Sequence, residues 1–185
     1  TEEIRGKVLG LAGFGRIGQA VARRAQAFGM TVIAHDPFVT PSVAAECGVE
    51  LVTMDDLCAR ADYLSLHLPA TPETKHTFNA ARFAKCKKGL KLINTARGEL
   101  IDEPALVEAI KNGQIGGAAL DVYTSEPTTE HTLQQLPQVV ASPHIAASTK
   151  EGQELVGLET AAALRDYLKT GVIRNSVNFP SNASE

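Results

Sequence analysis

A glycine-rich segment, GFGRIG, follows a short apolar run near the start of the chain and constrains the fold more than any other feature. The run before it, Lys7–Ala12, is almost continuously apolar, as in strands that are buried on both faces of a parallel sheet. The segment after it repeats its apolar residues at helical spacing and stops at Gly29. A buried strand, a glycine turn and an amphipathic helix in this order predict a dinucleotide-binding unit.

Each glycine of this segment has a physical role in such a unit. Gly13 permits the tight turn, Gly15 leaves room for a diphosphate, and Gly18 lets the helix pack close to the strand. The free amides at the start of the helix attract phosphate, and Arg16 adds positive charge. Asp36 ends the next predicted strand, where a carboxylate accepts hydrogen bonds from a ribose and repels a 2′-phosphate. The segment therefore favours NAD over NADP, the alternative being a structural turn with a surface aspartate.

Strand-like and helix-like segments alternate along the rest of the chain, which predicts an α/β fold with a Rossmann-type, doubly wound parallel sheet. A chain of 185 residues fits a single nucleotide-binding domain, residues 1–185. Ser148 and Glu151 have the spacing of a capping box at the start of the last helix. The predicted strands are Lys7–Ala12, Thr31–His35, Tyr63–Leu66, Leu90–Asn94, Gly116–Val122 and Val139–Ser142; the predicted helices cover 17–28, Pro41–Cys47, Met54–Ala59, Glu103–Asn112 and about 148–171.

Charge, hydropathy and cysteine content exclude several classes of function. The net charge is −3 without a basic tract, so no nucleic-acid partner is expected. The apolar runs are too short to span a membrane. Cys47, Cys58 and Cys86 form no CxxC pair, which predicts reduced thiols in a cytoplasmic protein and no metal site. Because the first residue is Thr1, we expect the sequence to begin inside a longer chain.

Polar side chains follow three of the predicted strands, at the edge of the sheet where ligands of doubly wound folds bind. Asn94 and Arg97 follow one strand, and the guanidinium of Arg97 suits a substrate carboxylate, unless it is only a surface arginine. His144 follows another strand and is the candidate general acid or base, since imidazoles titrate near neutrality. Glu126 is a candidate partner for that imidazole, and Asp121 for the nicotinamide or a backbone amide. Spacing along the chain does not show whether these side chains converge.

Four motifs in order, GFGRIG, INTARG, GAALDVYTSEP and PHIAAST, resemble the D-isomer-specific 2-hydroxyacid dehydrogenases over Ile4 to Pro180. The resemblance implies an enzyme that transfers hydride between NAD and a small D-2-hydroxy acid, with no metal. It implies a catalytic set of Arg97, Glu126 and His144. The cofactor contacts that it implies are Gly13, Gly15, Arg16, Ile17, Gly18, Asp36, Leu68, Thr95, Asp121, His144, Ala146 and Ala147.

The segment CKKGLKLINTARG is closer to those members of the family that oxidise 3-phosphoglycerate to 3-phosphohydroxypyruvate, the first step of L-serine biosynthesis. The resemblance also implies a homodimer formed through this domain and a second, substrate-binding lobe outside the present sequence. We therefore expect the domain by itself to be inactive or weakly active. Two alternatives stay open: a related glyoxylate or hydroxypyruvate reductase, and a dinucleotide-sensing module similar to the corepressors that share this fold.

Overall fold

A computed structural model describes residues 2–129, 131–174 and 176. The chain divides into two compact units, Thr1–His144 and Ile145–Glu185. The first unit contains one sheet, whose strands are β1 Val8–Ala12, β2 Thr31–His35, β3 Glu50–Leu51, β4 Tyr63–Leu66, β5 Leu90–Asn94, β6 Ile115–Leu120 and β7 Val139–Ala141. Its helices are α1 Arg16–Ala27, α2 Pro41–Glu46, α3 Met54–Arg60, α4 Ala80–Lys85 and α5 Glu103–Lys111, with a 3₁₀ turn over Gly98–Leu100.

The strands lie in the order β3-β2-β1-β4-β5-β6-β7, and every neighbouring pair is parallel. The predicted Rossmann-type fold is confirmed by this order. From β1 the chain builds the sheet outward in one direction through β2 and β3, and then in the other direction from β4 onward. This reversal opens a crevice at the carboxyl ends of β1 and β4, where such sheets bind ligands.

The central strands are apolar on both sides because both of their faces are covered. Leu9 and Leu11 of β1 and Leu64 and Leu66 of β4 are all buried. Two hydrophobic clusters enclose these strands, and the fully buried ring of Phe14 belongs to one of them. The core therefore fixes the strands, while the loops that follow them stay available for ligands.

Three local features differ from the sequence-based expectations. The two-residue strand β3 and the six-residue helix α4 were not predicted. Both are too short to show a hydrophobic period, and β3 exists because it pairs with β2. The predicted cap at Ser148 is wrong, since the hydroxyl of Thr149 accepts the amide of Gly152.

The second unit contains α6, Lys150–Thr170. The helix ends at Gly171, whose φ of +72° is left-handed, as predicted for the residue that closes it. Among the described residues, no helix is both long and apolar enough to cross a membrane.

Candidate active site

The glycine loop packs tightly against the end of β4. Gly13 has a φ of +98°, and a Cβ added there would lie 2.6 Å from the carbonyl oxygen of His67. A Cβ added at Gly18 would lie 2.6 Å from the carbonyl oxygen of Gly13. A side chain at Gly13 would push the glycine loop away from the end of β4, and one at Gly18 would push the start of α1 away from that loop.

The residues in front of this helix fit a diphosphate. Gly15 is exposed, and a Cβ added there would meet no atom within 4 Å, so the space above the loop is open. The first amides of α1 have no partner within the helix, and its first turn carries no acidic residue. Arg16 and Ile17 are exposed at the same end. This arrangement has the open approach, the donors and the charge that a dinucleotide requires.

Asp36 lies at the end of β2 and is hydrogen-bonded to the glycine loop. Its Oδ2 accepts the amide of Phe14 at 2.8 Å, and its Oδ1 accepts the amide of Phe38 at 2.9 Å. Each carboxylate oxygen has two lone pairs, so both oxygens can accept a further hydrogen bond. Asp36 is thus able to bind a ribose while it holds the loop, a second role that the sequence did not indicate.

On the other side of the crevice, the structure brings Glu126 and His144 together. The Nδ1 of His144 lies 2.6 Å from Oε2 of Glu126, and Oε1 of Glu126 accepts the amide of Tyr123 at 2.9 Å. The hydrogen bond from His144, followed by that from Tyr123, lowers the pKa of Glu126 below its ordinary value of 4.5. The carboxylate is therefore ionised at neutral pH and can stabilise an imidazolium beside it.

This contact fixes the role of each imidazole nitrogen. An ionised carboxylate only accepts hydrogen bonds, so Nδ1 of His144 must carry a proton. In the neutral ring, Nε2 is then free to take a second proton. His144 has a φ of +55°, an unusual left-handed conformation for a residue with a side chain, and 51% of its side chain is exposed. The pair is equipped for acid–base chemistry on a ligand in front of the sheet.

Arg97 reaches the same edge from the neighbouring strand end, and its side chain is exposed. Its Nη1 donates to the carbonyl oxygen of Ala96 at 2.6 Å. The next residue, Gly98, touches the backbone of Tyr123, since a Cβ added at Gly98 would lie 2.0 Å from the Tyr123 carbonyl carbon. The loop that carries Arg97 therefore packs directly on the loop that carries Glu126.

The remaining predicted cofactor residues are distributed over both units. Leu68 is half-buried after β4, and Thr95 is exposed after β5. Asp121 is buried after β6, and its Oδ1 accepts the hydroxyl of Ser142 at 2.6 Å. Ala146 and Ala147 belong to the second unit, in the segment before α6.

Tyr123 is a buried residue near the site that the sequence analysis did not single out. Its hydroxyl lies 3.1 Å from the carbonyl oxygen of Ser142 and 3.2 Å from that of Leu120, so it ties the β6 end to the β7 end. In the sequence, a tyrosine that follows a predicted strand does not by itself indicate such hydrogen bonds.

A cavity of about 400 Å³ adjoins Tyr123. It is lined by Tyr123, Glu126, Pro127, Thr128, His131, Gln134, Ala141, Ser142, Pro143 and His144.

Comparison with protein families gives a match over residues 1–146 to the NAD binding domain of D-isomer specific 2-hydroxyacid dehydrogenases. Curated relatives named D-3-phosphoglycerate dehydrogenase include that of Mycobacterium tuberculosis, 48% identical over 95% of this chain and 33% of its own length. The relative from Methanocaldococcus jannaschii is 45% identical over 99% of this chain and 35% of its own length. The chain thus spans about one third of the length of these relatives.

Solved structures with the same fold include enzymes of related names. A glyoxylate reductase from Paecilomyes thermophila superimposes with a TM-score of 0.90 at 39% identity, covering 96% of this chain and 54% of that one. The NAD-complexed D-isomer specific 2-hydroxyacid dehydrogenase from Lactobacillus delbrueckii ssp. bulgaricus gives a TM-score of 0.88 at 33% identity, covering 96% and 58%.

Proposed function

The chain belongs to the D-isomer-specific 2-hydroxyacid dehydrogenase family, and on that premise we propose that it is the NAD-binding domain of an enzyme that oxidises 3-phosphoglycerate to 3-phosphohydroxypyruvate. The names of the curated relatives support this substrate. The reaction would belong to L-serine biosynthesis in the cytoplasm. The whole of 1–185 would act as this domain, with the substrate-binding lobe outside it and with two copies forming a homodimer.

The hydrogen bond between Glu126 and His144 is the observation that carries the chemistry. It leaves Nε2 of His144 as the proton acceptor, next to an ionised carboxylate. Proton transfer by a positioned side chain of this kind accelerates reactions by about 10²–10⁴-fold. The exposed guanidinium of Arg97, at the neighbouring strand end, would hold the substrate carboxylate by a bidentate contact.

In the oxidation, Nε2 of His144 takes the proton of the C2 hydroxyl. Bound NAD would supply the acceptor for the hydride that leaves C2 with its electron pair, so that the hydroxy acid becomes a 2-oxo acid. The imidazolium that forms is stabilised by Glu126, which stays ionised because its pKa is lowered. In the reverse direction the imidazolium returns the proton to the carbonyl oxygen. Arg97 keeps the carboxylate fixed in both directions.

For the cofactor we propose contacts that follow the carboxyl ends of the strands. The loop amides around Gly13 to Gly18 would bind the diphosphate and Asp36 the ribose. The full proposed set is Gly13, Gly15, Arg16, Ile17, Gly18, Asp36, Leu68, Thr95, Asp121, His144, Ala146 and Ala147.

The proposal is tested by steady-state assays of the full-length enzyme with NAD or NADP against a panel of 2-hydroxy acids. We expect the highest kcat/KM with NAD and 3-phosphoglycerate. His144→Ala should lower kcat by about 10²–10⁴-fold, while the NADH dissociation constant should rise far less, because His144 is one of twelve proposed cofactor contacts. An unchanged kcat would remove His144 from the mechanism.

The fold similarity to a glyoxylate reductase supports a second candidate with the same chemistry and a smaller substrate. The same panel separates the two, because an enzyme of that type would prefer glycolate or glycerate, the 2-hydroxy acids that correspond to glyoxylate and hydroxypyruvate, to the phosphorylated acid. A protein that binds NADH tightly without oxidising any member of the panel would instead be a dinucleotide-sensing module.

A further inference from the structure

Asn94 is a fully buried amide at the end of β5, and its side chain is hydrogen-bonded at both ends. Its Oδ1 accepts the amide of Ala96 at 3.0 Å, and its Nδ2 donates to the carbonyl oxygen of Arg97 at 2.9 Å. The orientation of the amide is set by these partners, because a backbone amide only donates and a carbonyl only accepts. No aliphatic side chain could satisfy both groups.

The two hydrogen bonds enclose the dipeptide Ala96–Arg97, from the amide of the first residue to the carbonyl of the second. The backbone on either side of the Arg97 Cα is thereby fixed. The carbonyl oxygen of Asn94 itself accepts the amide of Asp121 at 3.0 Å, which ties the base of the loop to the end of β6. The contact of Gly98 with the backbone of Tyr123 holds the other end of the loop.

Among the residues that the structure describes, none gives the Arg97 side chain comparable support. The side chain is exposed, and its Nη1 donates to the carbonyl oxygen of Ala96, within the same loop. A long flexible side chain can bind a carboxylate in a defined orientation only if its Cα starts from a defined place. The buried amide of Asn94 supplies that place.

We propose that Asn94 is a positioning residue, which fixes the loop 94–97 so that the Arg97 guanidinium meets the carboxylate of the hydroxy acid. This inference rests on the proposed function, since it requires Arg97 to bind the substrate. Asn94 acts through the backbone of Arg97 and touches no reacting atom. Its effect on the enzyme should therefore depend on the presence of the arginine side chain.

A double-mutant cycle in the full-length enzyme tests this dependence. The variants are Asn94→Ala, Arg97→Ala and the two combined, assayed with NAD and the best 2-hydroxy acid of the panel. We expect Asn94→Ala to raise KM for the hydroxy acid at least tenfold and to lower kcat/KM at least thirtyfold. In the Arg97→Ala background, the same change should lower kcat/KM less than threefold.

Two results would overturn the inference: an equal loss of kcat/KM in both backgrounds, or a loss below threefold in the wild-type background. A wild-type enzyme that oxidises no 2-hydroxy acid would contradict the proposed function instead, as would an Arg97→Ala variant with unchanged kinetics. If Asn94→Ala fails to fold, Asn94→Asp replaces it in the cycle. That variant keeps an acceptor for the Ala96 amide and loses the donor to the Arg97 carbonyl.

Asn79 provides a matched control away from the site. Its Oδ1 accepts the amide of Arg82 and its Nδ2 donates to the carbonyl oxygen of His76, both at 3.1 Å. Asn79→Ala therefore removes the same pair of bonds at the start of α4. We expect it to lower the Tm of the enzyme while kcat/KM stays within twofold. A loss of kcat/KM as large as that of Asn94→Ala would show a general effect of destabilisation and would refute the positioning role.

Discussion

At the scale of single residues, Asp36 combines an observed structural role with a proposed role in binding the ribose. Its contacts with the amides of Phe14 and Phe38 hold the glycine loop to the end of β2 before any ligand is bound. The same charge disfavours a 2′-phosphate by repulsion. Under the proposed function, both the discrimination between NAD and NADP and the shape of the loop would depend on this one side chain.

We expect Asp36→Ala to weaken NADH binding by about 10–100-fold, because hydrogen bonds to charged groups contribute about 1.5–3 kcal/mol. The NADPH dissociation constant should change much less, so the ratio of the two dissociation constants should move closer to one. Fluorescence titration of this chain with both cofactors measures the two dissociation constants. Tighter binding of NADPH than of NADH by the wild type would contradict the ribose role of Asp36.

Asp62 offers a control with the same chemistry at the opposite edge of the sheet. Its Oδ2 accepts the amide of Val8 at 2.9 Å, at the start of β1, and its Oδ1 pairs with Lys87. Asp62→Ala should lower the stability of the domain while leaving both dissociation constants within twofold.

The three predicted catalytic residues could be selected from the sequence because parallel strands bring their carboxyl ends to one edge. Glu126 was a candidate partner for His144, but the spacing of the two residues along the chain did not show that they meet. Their contact depends on the path of the loop after β6 and on the left-handed backbone of His144. Neither feature can be deduced from the amino-acid sequence. The two hydrogen bonds that the Asn94 side chain makes to the backbone of Ala96 and Arg97 were also not predicted, because they depend on the path of the loop after β5.

At the scale of secondary structure, the long apolar strands were the features that the sequence predicted best. Their residues are buried on both faces of the sheet, and a continuous apolar run is typical of strands in that position. The short elements depend on tertiary contacts: α4 follows a cap at Asn79 whose side chain accepts the amide of Arg82, and it packs on α3 and α5. Local patterns of six residues do not specify such a helix.

The loop at Gly98 packs so closely on the loop at Tyr123 that one methyl group added to Gly98 should force the two loops apart. In Gly98→Ala the new Cβ would meet the carbonyl carbon of Tyr123 at 2.0 Å and its oxygen at 2.1 Å, so one loop must shift. We expect the free energy of unfolding to fall by about 1–3 kcal/mol, as for other overpacked sites. Denaturant unfolding of this chain measures the change.

The same substitution in an open helical position serves as the comparison. Gly157 lies inside α6, and a Cβ added there would meet no atom within 4 Å. Gly157→Ala should stabilise its helix by about 0.5–1 kcal/mol, because alanine is the better helix former. Equal stability of Gly98→Ala and wild type would show that the two loops do not need their close contact.

At the scale of the whole molecule, the positions of the proposed sites predict that this chain alone binds NADH but does not catalyse the reaction efficiently. The candidate dinucleotide contacts lie within this chain, whereas the proposed substrate lobe lies outside it. We therefore expect the chain alone to bind NADH within threefold of the affinity of the full-length enzyme and to retain less than a thousandth of its kcat. Closure of a second lobe normally excludes water and completes the substrate site.

Fluorescence titration and steady-state assays on the same two preparations check this expectation. Turnover by the chain alone at a rate near that of the full-length enzyme would contradict it, and would place the whole reaction within residues 1–185.

Each of the three predicted catalytic side chains comes from a different loop, after β5, β6 and β7 respectively. The glycine loop and Asp36, by contrast, follow β1 and β2. Related enzymes built on this sheet can therefore acquire specificity for new hydroxy acids through changes in one loop at a time. The glycine loop and Asp36 stay unchanged in such variants, because they follow other strands of the sheet.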